Sequence, residues 1–138
     1  MYFIDTNICI YLLNKTSQNV IDRFLSARSS DIKIPAIVAA ELLYGVNKSN
    51  RREYNLERYE KFLSVYDIVP FDKASAGRYA EIRASLERAG QTIGGNDMII
   101  AASSLACASI LVTNNVSEFS RVKGLLVEDW TKEIRELQ

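Results

Sequence analysis

The sequence predicts an α/β fold, with a central parallel sheet covered by helices on both faces in three layers. Short apolar runs typical of buried strands alternate with amphipathic segments typical of helices, and this alternation is characteristic of parallel sheets. The 138 residues are 48% hydrophobic and 25% charged, as in globular proteins. This length favours one domain, which we expect to span residues 1–138.

The first half of the chain is predicted to contain two strands and four helices. The first strand ends at Asp5, and Thr6 or Asn7 can cap the helix that follows. Pro35 ends the second strand, because proline cannot donate a hydrogen bond within a central strand. The predicted strands are residues 1–4 and 32–34, and the predicted helices begin near residue 6 and then cover residues 19–27, 39–46 and 52–64.

The second half is predicted to contain three strands and three helices. Asp72 can cap a long helix that ends at Ala89, with Gly90 just beyond its end. A loop at residues 91–95 precedes a small, apolar helix that starts at Asn96 or Asp97 and implies deep burial. The predicted strands are residues 65–70, 110–113 and 125–127, and the other helices are residues 97–107 and a turn at 117–121.

The composition excludes several kinds of chemistry. The chain has no histidine, which rules out histidine general bases and histidine metal ligands. Cys9 and Cys107 stand in apolar surroundings and are expected to be buried free thiols. The formal net charge is zero, so global charge gives no argument for nucleic acid. The apolar runs are too short to span a bilayer, and we expect a cytoplasmic protein without a signal peptide.

Polar side chains follow several of the predicted strands. Asp5 follows the first strand, Asn115 lies just beyond the fourth, Asp97 opens the helix before that strand, and Glu41 lies in the first turns of another helix. Ligands of parallel sheets bind outside the carboxyl ends of the strands. We therefore expect these four side chains to converge on one edge.

A cluster of carboxylates has a raised pKa unless a cation neutralises it. Ligands that are all oxygen suit Mg²⁺ or Mn²⁺ rather than zinc, and such an ion can promote phosphodiester hydrolysis without histidine. Each residue also has a purely structural interpretation. Asp5 and Asp97 can be helix caps, Asn115 part of a turn, and Glu118 a solvated acid near a helix start. Glu41 is harder to explain in this way, because an unpaired carboxylate is costly in so apolar a segment.

Four ordered motifs resemble those of VapC toxins, which are PIN-domain ribonucleases. The motifs are residues 5–13 (DTNICIYLL), 40–46 (AELLYGV), 93–102 (IGGNDMIIAA) and 111–115 (LVTNN), the last followed by Glu118-Phe119 and by residues 128–130 (EDW). The resemblance covers nearly the whole chain. It implies a compact PIN fold and cleavage of RNA that depends on a divalent metal.

The resemblance also implies roles for individual residues. Asp5 and Asp97 match the principal magnesium ligands, and Glu41 matches a third acid that binds metal directly or through water. Asn115 stands where relatives often have an acid, and Glu118 can supply the missing charge. The hydroxyl groups of Thr6 and Thr113 match groups that hold the acids or a water in place.

The resemblance further implies partners. They are an RNA substrate, a cognate VapB-type antitoxin and a second copy of the chain in a homodimer. The wording of the motifs is most similar to the subgroup that cuts initiator tRNA and so blocks translation. Candidate phosphate contacts are Lys15, Lys48, Arg51, Arg52, Arg83 and Arg88, and candidate contacts of the antitoxin are Tyr11, Leu12, Leu13, Tyr44 and Tyr59.

Two alternatives use the same predicted sheet edge. A non-catalytic PIN module that binds RNA or protein stays open, because Asn115 replaces an acid. A phosphotransfer domain is disfavoured. An aspartyl phosphatase needs a second aspartate where Asn7 stands, and a receiver needs an early acidic pair and a late lysine that this chain lacks.

Overall fold

Five parallel strands form a single sheet in the order β3-β2-β1-β4-β5 in a computed structural model of the chain, which describes residues 1–133. The strands are β1 (Tyr2–Ile4), β2 (Ile32–Pro35), β3 (Asp67–Val69), β4 (Ile110–Val112) and β5 (Leu126–Glu128). The helices are α1 (Thr6–Asn14), α2 (Gln18–Ser26), α3 (Ala36–Lys48), α4 (Arg52–Val65), α5 (Lys73–Ala89), α6 (Gly95–Ala106) and α7 (Val116–Phe119), with a 3₁₀ turn at Ser29–Asp31. Helices flank this sheet, as the alternating pattern predicted.

The register of the central strands decides where the polar residues emerge. Ile4, the last residue of β1, pairs with Val112, the last residue of β4. Because the two strands are parallel, the residues that follow them, Asp5 and Thr113, leave the sheet side by side. The amide of Asp5 donates to the carbonyl oxygen of Val112 at 2.9 Å and extends the pairing by one residue.

The core is formed by the central strands and the helix that crosses them. Phe3, Ile4, Leu111 and Val112 are completely buried, as expected for parallel strands covered on both faces. The apolar face of α6 is equally buried at residues 100–102, and α6 packs along α5. The small side chains of α6 allow the helix to pack closely against its neighbours, which explains the deep burial that the sequence predicted.

Two helices begin earlier than the sequence predicted. Asp5, rather than Thr6 or Asn7, is the N-cap of α1. The α6 helix starts at Gly95 because the amide of Met98 donates to the carbonyl oxygen of Gly94 at 3.0 Å. Asp97 is therefore the third residue of α6 and lies in the first turn of the helix rather than at its N-cap.

Other boundaries also differ from the prediction. Helix α3 begins directly after Pro35, three residues before the predicted start, because the extended proline is itself the helix cap. The β-branched residues in its first turn, Ile37 and Val38, obscured this start, since such residues favour strands. Helix α4 continues through Val65 and so shortens β3. Helix α7 and strand β5 are each shifted by one or two residues from prediction.

Both cysteines are free thiols, but only Cys9 is buried; Cys107 is partly exposed at the end of α6. The prediction of two buried thiols was thus wrong for Cys107. Within residues 1–133, no helix combines the length and the apolar character that a membrane crossing requires.

Candidate active site

Asp5 lies at the middle of the carboxyl edge of the sheet and is 6% exposed. One carboxylate oxygen accepts a hydrogen bond from the amide of Thr6 at 2.7 Å, and the other accepts one from Thr113 Oγ1 at 2.6 Å. Burial raises the pKa of Asp5, and the bonds from Thr113 and Thr6 partly offset that rise. Asp5 is thus both a helix cap and a fixed, buried acid.

Glu41 faces Asp5 from the second turn of α3. Its pKa is raised, first by burial and then by the charge of Asp5. The nearby hydroxyl of Thr6 partly offsets this rise in pKa, although no hydrogen bond of ordinary geometry reaches Thr6 Oγ1 from any described residue. A buried hydroxyl oxygen without a partner among the described residues is therefore present beside the two acids.

Asp97 approaches the same point from the first turn of α6, where the helix dipole favours negative charge. Its pKa is raised from an ordinary value of 3.8 to about 6. Burial is the largest cause, followed by the charges of Asp5, Glu118 and Glu41 in that order. The four acids, which stand far apart in the sequence, therefore share one electrostatic environment.

A chain of hydrogen bonds joins Asp5 to the last of these acids. Thr113 Oγ1 donates to Asp5 and accepts from the amide of Asn115 at 3.0 Å. The side-chain amide of Asn115 donates to Glu118 Oε2 at 3.0 Å. Asn115 therefore orients Glu118 rather than adding a charge of its own.

The negative charge of this cluster is not balanced by ion pairs in the described part of the chain. Within residues 1–133, no lysine or arginine forms an ion pair with Asp5, Glu41, Asp97 or Glu118. The donor set consists of carboxylate, amide and hydroxyl oxygens, the ligands that Mg²⁺ and Mn²⁺ prefer. The uncompensated charge and the unpartnered Thr6 Oγ1 both fit such an ion.

The acids do not form a closed cage in this arrangement. In the part of the chain that the structure describes, no three acidic or thiol side chains are placed to hold one ion together. Glu41 and Asp97 are less buried than Asp5. Binding of one ion by all three of Asp5, Glu41 and Asp97 would therefore require some of these side chains to move closer together.

The structure places every predicted site residue at this edge of the sheet. It also adds one contact that the sequence did not suggest, since the side-chain amide of Asn114 donates to the hydroxyl of Tyr11 at 3.0 Å. The sequence predicted Tyr11 only as an apolar candidate contact of the antitoxin. The hydroxyl of Tyr11 was the one indication in the sequence, because the hydroxyl of a half-buried tyrosine usually has a hydrogen-bond partner.

The candidate contacts of phosphate and of the antitoxin lie outside the acid cluster, and some of them are engaged within the protein. Among the candidate phosphate contacts, Arg83 is held by Glu87 and the hydroxyl of Tyr79, which leaves it less free than predicted. Among the apolar candidates, Tyr11, Leu12, Leu13 and Tyr59 pack against the core, whereas Tyr44 is 63% exposed. Core packing thus accounts for most of that predicted surface.

Comparison with known proteins agrees with this geometry. The PIN-domain family matches residues 2–125. The chain is 41% identical to "Ribonuclease VapC2" of Rickettsia felis over 133 residues, which cover 96% of this chain and 99% of that protein. It is 38% identical to "tRNA(fMet)-specific endonuclease VapC" of Shigella flexneri over 130 residues, with 94% and 98% covered.

A solved structure is similar over the same length. The crystal structure of VapBC2 from Rickettsia felis bound to a DNA fragment from their promoter contains a chain that superposes with a TM-score of 0.87 at 41% identity. The match covers 94% of this chain and 98% of that one. The fold, the order of the motifs and these similarities agree, and the chain belongs to the PIN-domain family, among the VapC proteins.

Proposed function

We propose that this chain is an endoribonuclease dependent on Mg²⁺ or Mn²⁺, and the toxin of a VapBC toxin–antitoxin pair. The observation that carries the proposal is the convergence of four acids at the carboxyl edge of the sheet, none of them paired with a lysine or arginine of the described residues. The names of the two relatives, a ribonuclease and a tRNA endonuclease, support the reaction class.

The placement of the residues supports the following roles. Asp5 and Asp97 would hold the ion, with Glu41 as a third ligand, either directly or through water. When bound, the ion supplies Lewis-acid stabilisation of the phosphodiester and a more acidic water. Thr113 and the amide of Thr6 fix the carboxylate of Asp5, so that its orientation costs nothing when RNA binds. Asn115 keeps Glu118 directed toward the cluster.

Proton transfer also falls to these acids. Glu41 is less buried than Asp5 and has a raised pKa, so its carboxylate is suited to accept the proton of an attacking water. Asp5 is fixed by two hydrogen bonds and is assigned to hold the ion, so it is not the proposed base. The reaction is hydrolysis of a phosphodiester without a covalent intermediate on the protein.

We further propose tRNA as the substrate, with initiator tRNA as the first candidate, and inhibition of translation as the consequence. The support is the 38% identity to a relative named for tRNA(fMet). A VapB-type antitoxin is the proposed protein partner, supported by the similar VapBC2 complex. A cytoplasmic location is proposed because tRNA is found in that compartment. We also propose that the chain forms a homodimer.

The test is cleavage of purified tRNA by the purified chain. We expect cleavage with Mn²⁺ or Mg²⁺, none in excess EDTA, and a rate about 100-fold lower for Asp5→Asn. Glu60→Gln is the matched control, because the Glu60 side chain is exposed and forms no hydrogen bond or ion pair with any described residue. Undiminished cleavage in EDTA contradicts the proposal.

A non-catalytic PIN module is the second candidate. The observation in its favour is that the acids of the described residues do not close around an ion as they stand. Titration with Mn²⁺ separates the two proposals. A nuclease binds the ion, and Asp5→Asn weakens that binding, whereas a non-catalytic module binds the ion weakly and to the same extent with or without Asp5.

A further inference from the structure

One face of α3 connects the acid cluster with an exposed group of aromatic and basic side chains. Tyr44 and Lys48 follow Glu41 by three and seven residues on the same helix. At 3.6 residues per turn these three side chains share a face of the helix. Along the helix axis, Tyr44 lies about 4.5 Å and Lys48 about 10 Å from Glu41. We name Glu41, Tyr44 and Lys48 the α3 stripe.

The outer part of the α3 stripe is open and positively charged. Tyr44 is 63% exposed, and the ammonium of Lys48 lies 5.5 Å from the centre of its ring. Arg51 is the N-cap of α4 and Arg52 its first residue. The guanidinium of Arg51 lies 4.1 Å from the ring of Tyr54, which is 50% exposed. A large exposed aromatic side chain next to cations is the usual platform for an unpaired base.

The charges in this region are available to a ligand. Among the described residues, Lys48, Arg51 and Arg52 form no ion pair with any acid. Arg52 donates only to the side-chain oxygen of Asn47, which is neutral. Three cations are therefore available to bind an anionic polymer. One acid, Glu53, lies next to them at the start of α4.

We infer that the outer α3 stripe is a subsite for an unpaired nucleotide of the RNA substrate, with its base on the ring of Tyr44 and its phosphate at Lys48. The inference rests on the proposed ribonuclease function and adds a preference for single-stranded RNA to it. RNA is favoured over a protein partner because Tyr44 and Lys48 lie on the same face of α3 as Glu41, which belongs to the proposed active site. A strand cut at the acids passes along α3.

The test measures binding without cleavage. A fluorescently labelled, unpaired RNA oligonucleotide and its duplex are titrated with the full chain in excess EDTA. We expect tighter binding of the unpaired RNA, a loss of roughly 5-fold to 100-fold with Tyr44→Ala, and a change within about twofold for Tyr44→Phe, which keeps the ring. Lys48→Gln should reduce the slope of log K against log salt by about 0.7.

Two controls make the result specific. Lys123→Gln removes an exposed cation outside the α3 stripe and should weaken binding less than Lys48→Gln. Melting by circular dichroism shows whether each variant is folded, and Tyr44→Ala should fold because the side chain is largely exposed.

The outcomes separate the inference from the proposed function. Binding that Tyr44→Ala leaves within twofold, or equal binding of unpaired and duplex RNA, overturns the subsite. The subsite is also overturned if Tyr44→Ala retains its affinity for RNA and loses affinity only for the cognate antitoxin, since the face is then a protein interface. Cleavage of purified tRNA with Mn²⁺ is measured in parallel, and its absence in the wild type contradicts the ribonuclease function instead.

Discussion

Replacing Asp97 by asparagine should stabilise the metal-free protein while removing its activity. The pKa of Asp97 is raised from 3.8 to about 6 by burial and by neighbouring acids. At about 1.36 kcal/mol per pKa unit, a rise of this size corresponds to at most about 3 kcal/mol of destabilisation when the group is ionised. Partial exposure of the carboxylate reduces this to about 1–2 kcal/mol.

The pH dependence gives the sign. At about pH 3 and below, the folded and unfolded chains both carry a mainly protonated Asp97, so the group contributes almost no difference. Between about pH 4 and pH 6 the folded chain binds more protons than the unfolded chain, so stability falls as the pH rises. Above that range the whole penalty is present. An asparagine side chain has nearly the same shape without the charge, so Asp97→Asn should be more stable at pH 8 and equal to wild type near pH 3.

The assay is thermal and urea unfolding in EDTA at both pH values. We expect Asp97→Asn to melt several degrees above the wild type at pH 8, at about 3–5 °C per kcal/mol for a chain of this size. Excess Mn²⁺ should stabilise the wild type and leave Asp97→Asn nearly unchanged. Glu60→Gln serves as the exposed control. A variant that is less stable than wild type at pH 8, or a difference that is the same at both pH values, refutes this reasoning.

Three other substitutions test separate parts of the structure. Thr113→Val removes the hydrogen bond to Asp5 and should cost about 1–3 kcal/mol of unfolding free energy at pH 8, with a smaller cost at low pH; an equal cost at both pH values contradicts the role of this bond. Asn115→Asp places a second acid against Glu118, so it should lose about 1 kcal/mol in EDTA and gain more from Mn²⁺ in a melting assay than wild type does; no added gain shows that this position is outside the ion's reach. Trp130→Ala empties a buried site and should cost about 3–5 kcal/mol in urea unfolding, and a loss below about 1 kcal/mol places the core elsewhere.

The placement of the site was predictable because it follows from topology. Parallel strands end at a common edge, so Asp5 and the residues after β4 were expected at one edge of the sheet once both strands were recognised. The pairing of β1 with β4 then brings Asp5 and Thr113 into contact. The motif resemblance gave the family and added Glu118, which the local pattern alone assigned to solvent. Asn115 connects Glu118 to the cluster over only three residues.

The parts that the sequence did not predict depend on three-dimensional packing. The sequence could not show how strongly burial and three other acids raise the pKa of Asp97, because that depends on the depth of each side chain. The start of α3 at Ala36 was missed because local β-branched residues contradict the helix that tertiary packing imposes. The bond from Asn114 to Tyr11 joins segments that no sequence pattern couples.

The central claim is that acids from distant segments converge to hold one divalent ion at the carboxyl edge of the sheet. The most direct measurement is the anomalous diffraction of Mn²⁺ in crystals of the protein. We predict a peak about 2.0–2.3 Å from carboxylate oxygens of both Asp5 and Asp97, and no peak there in Asp5→Asn. Cleavage of RNA by a protein whose only Mn²⁺ lies away from these two residues would contradict the account.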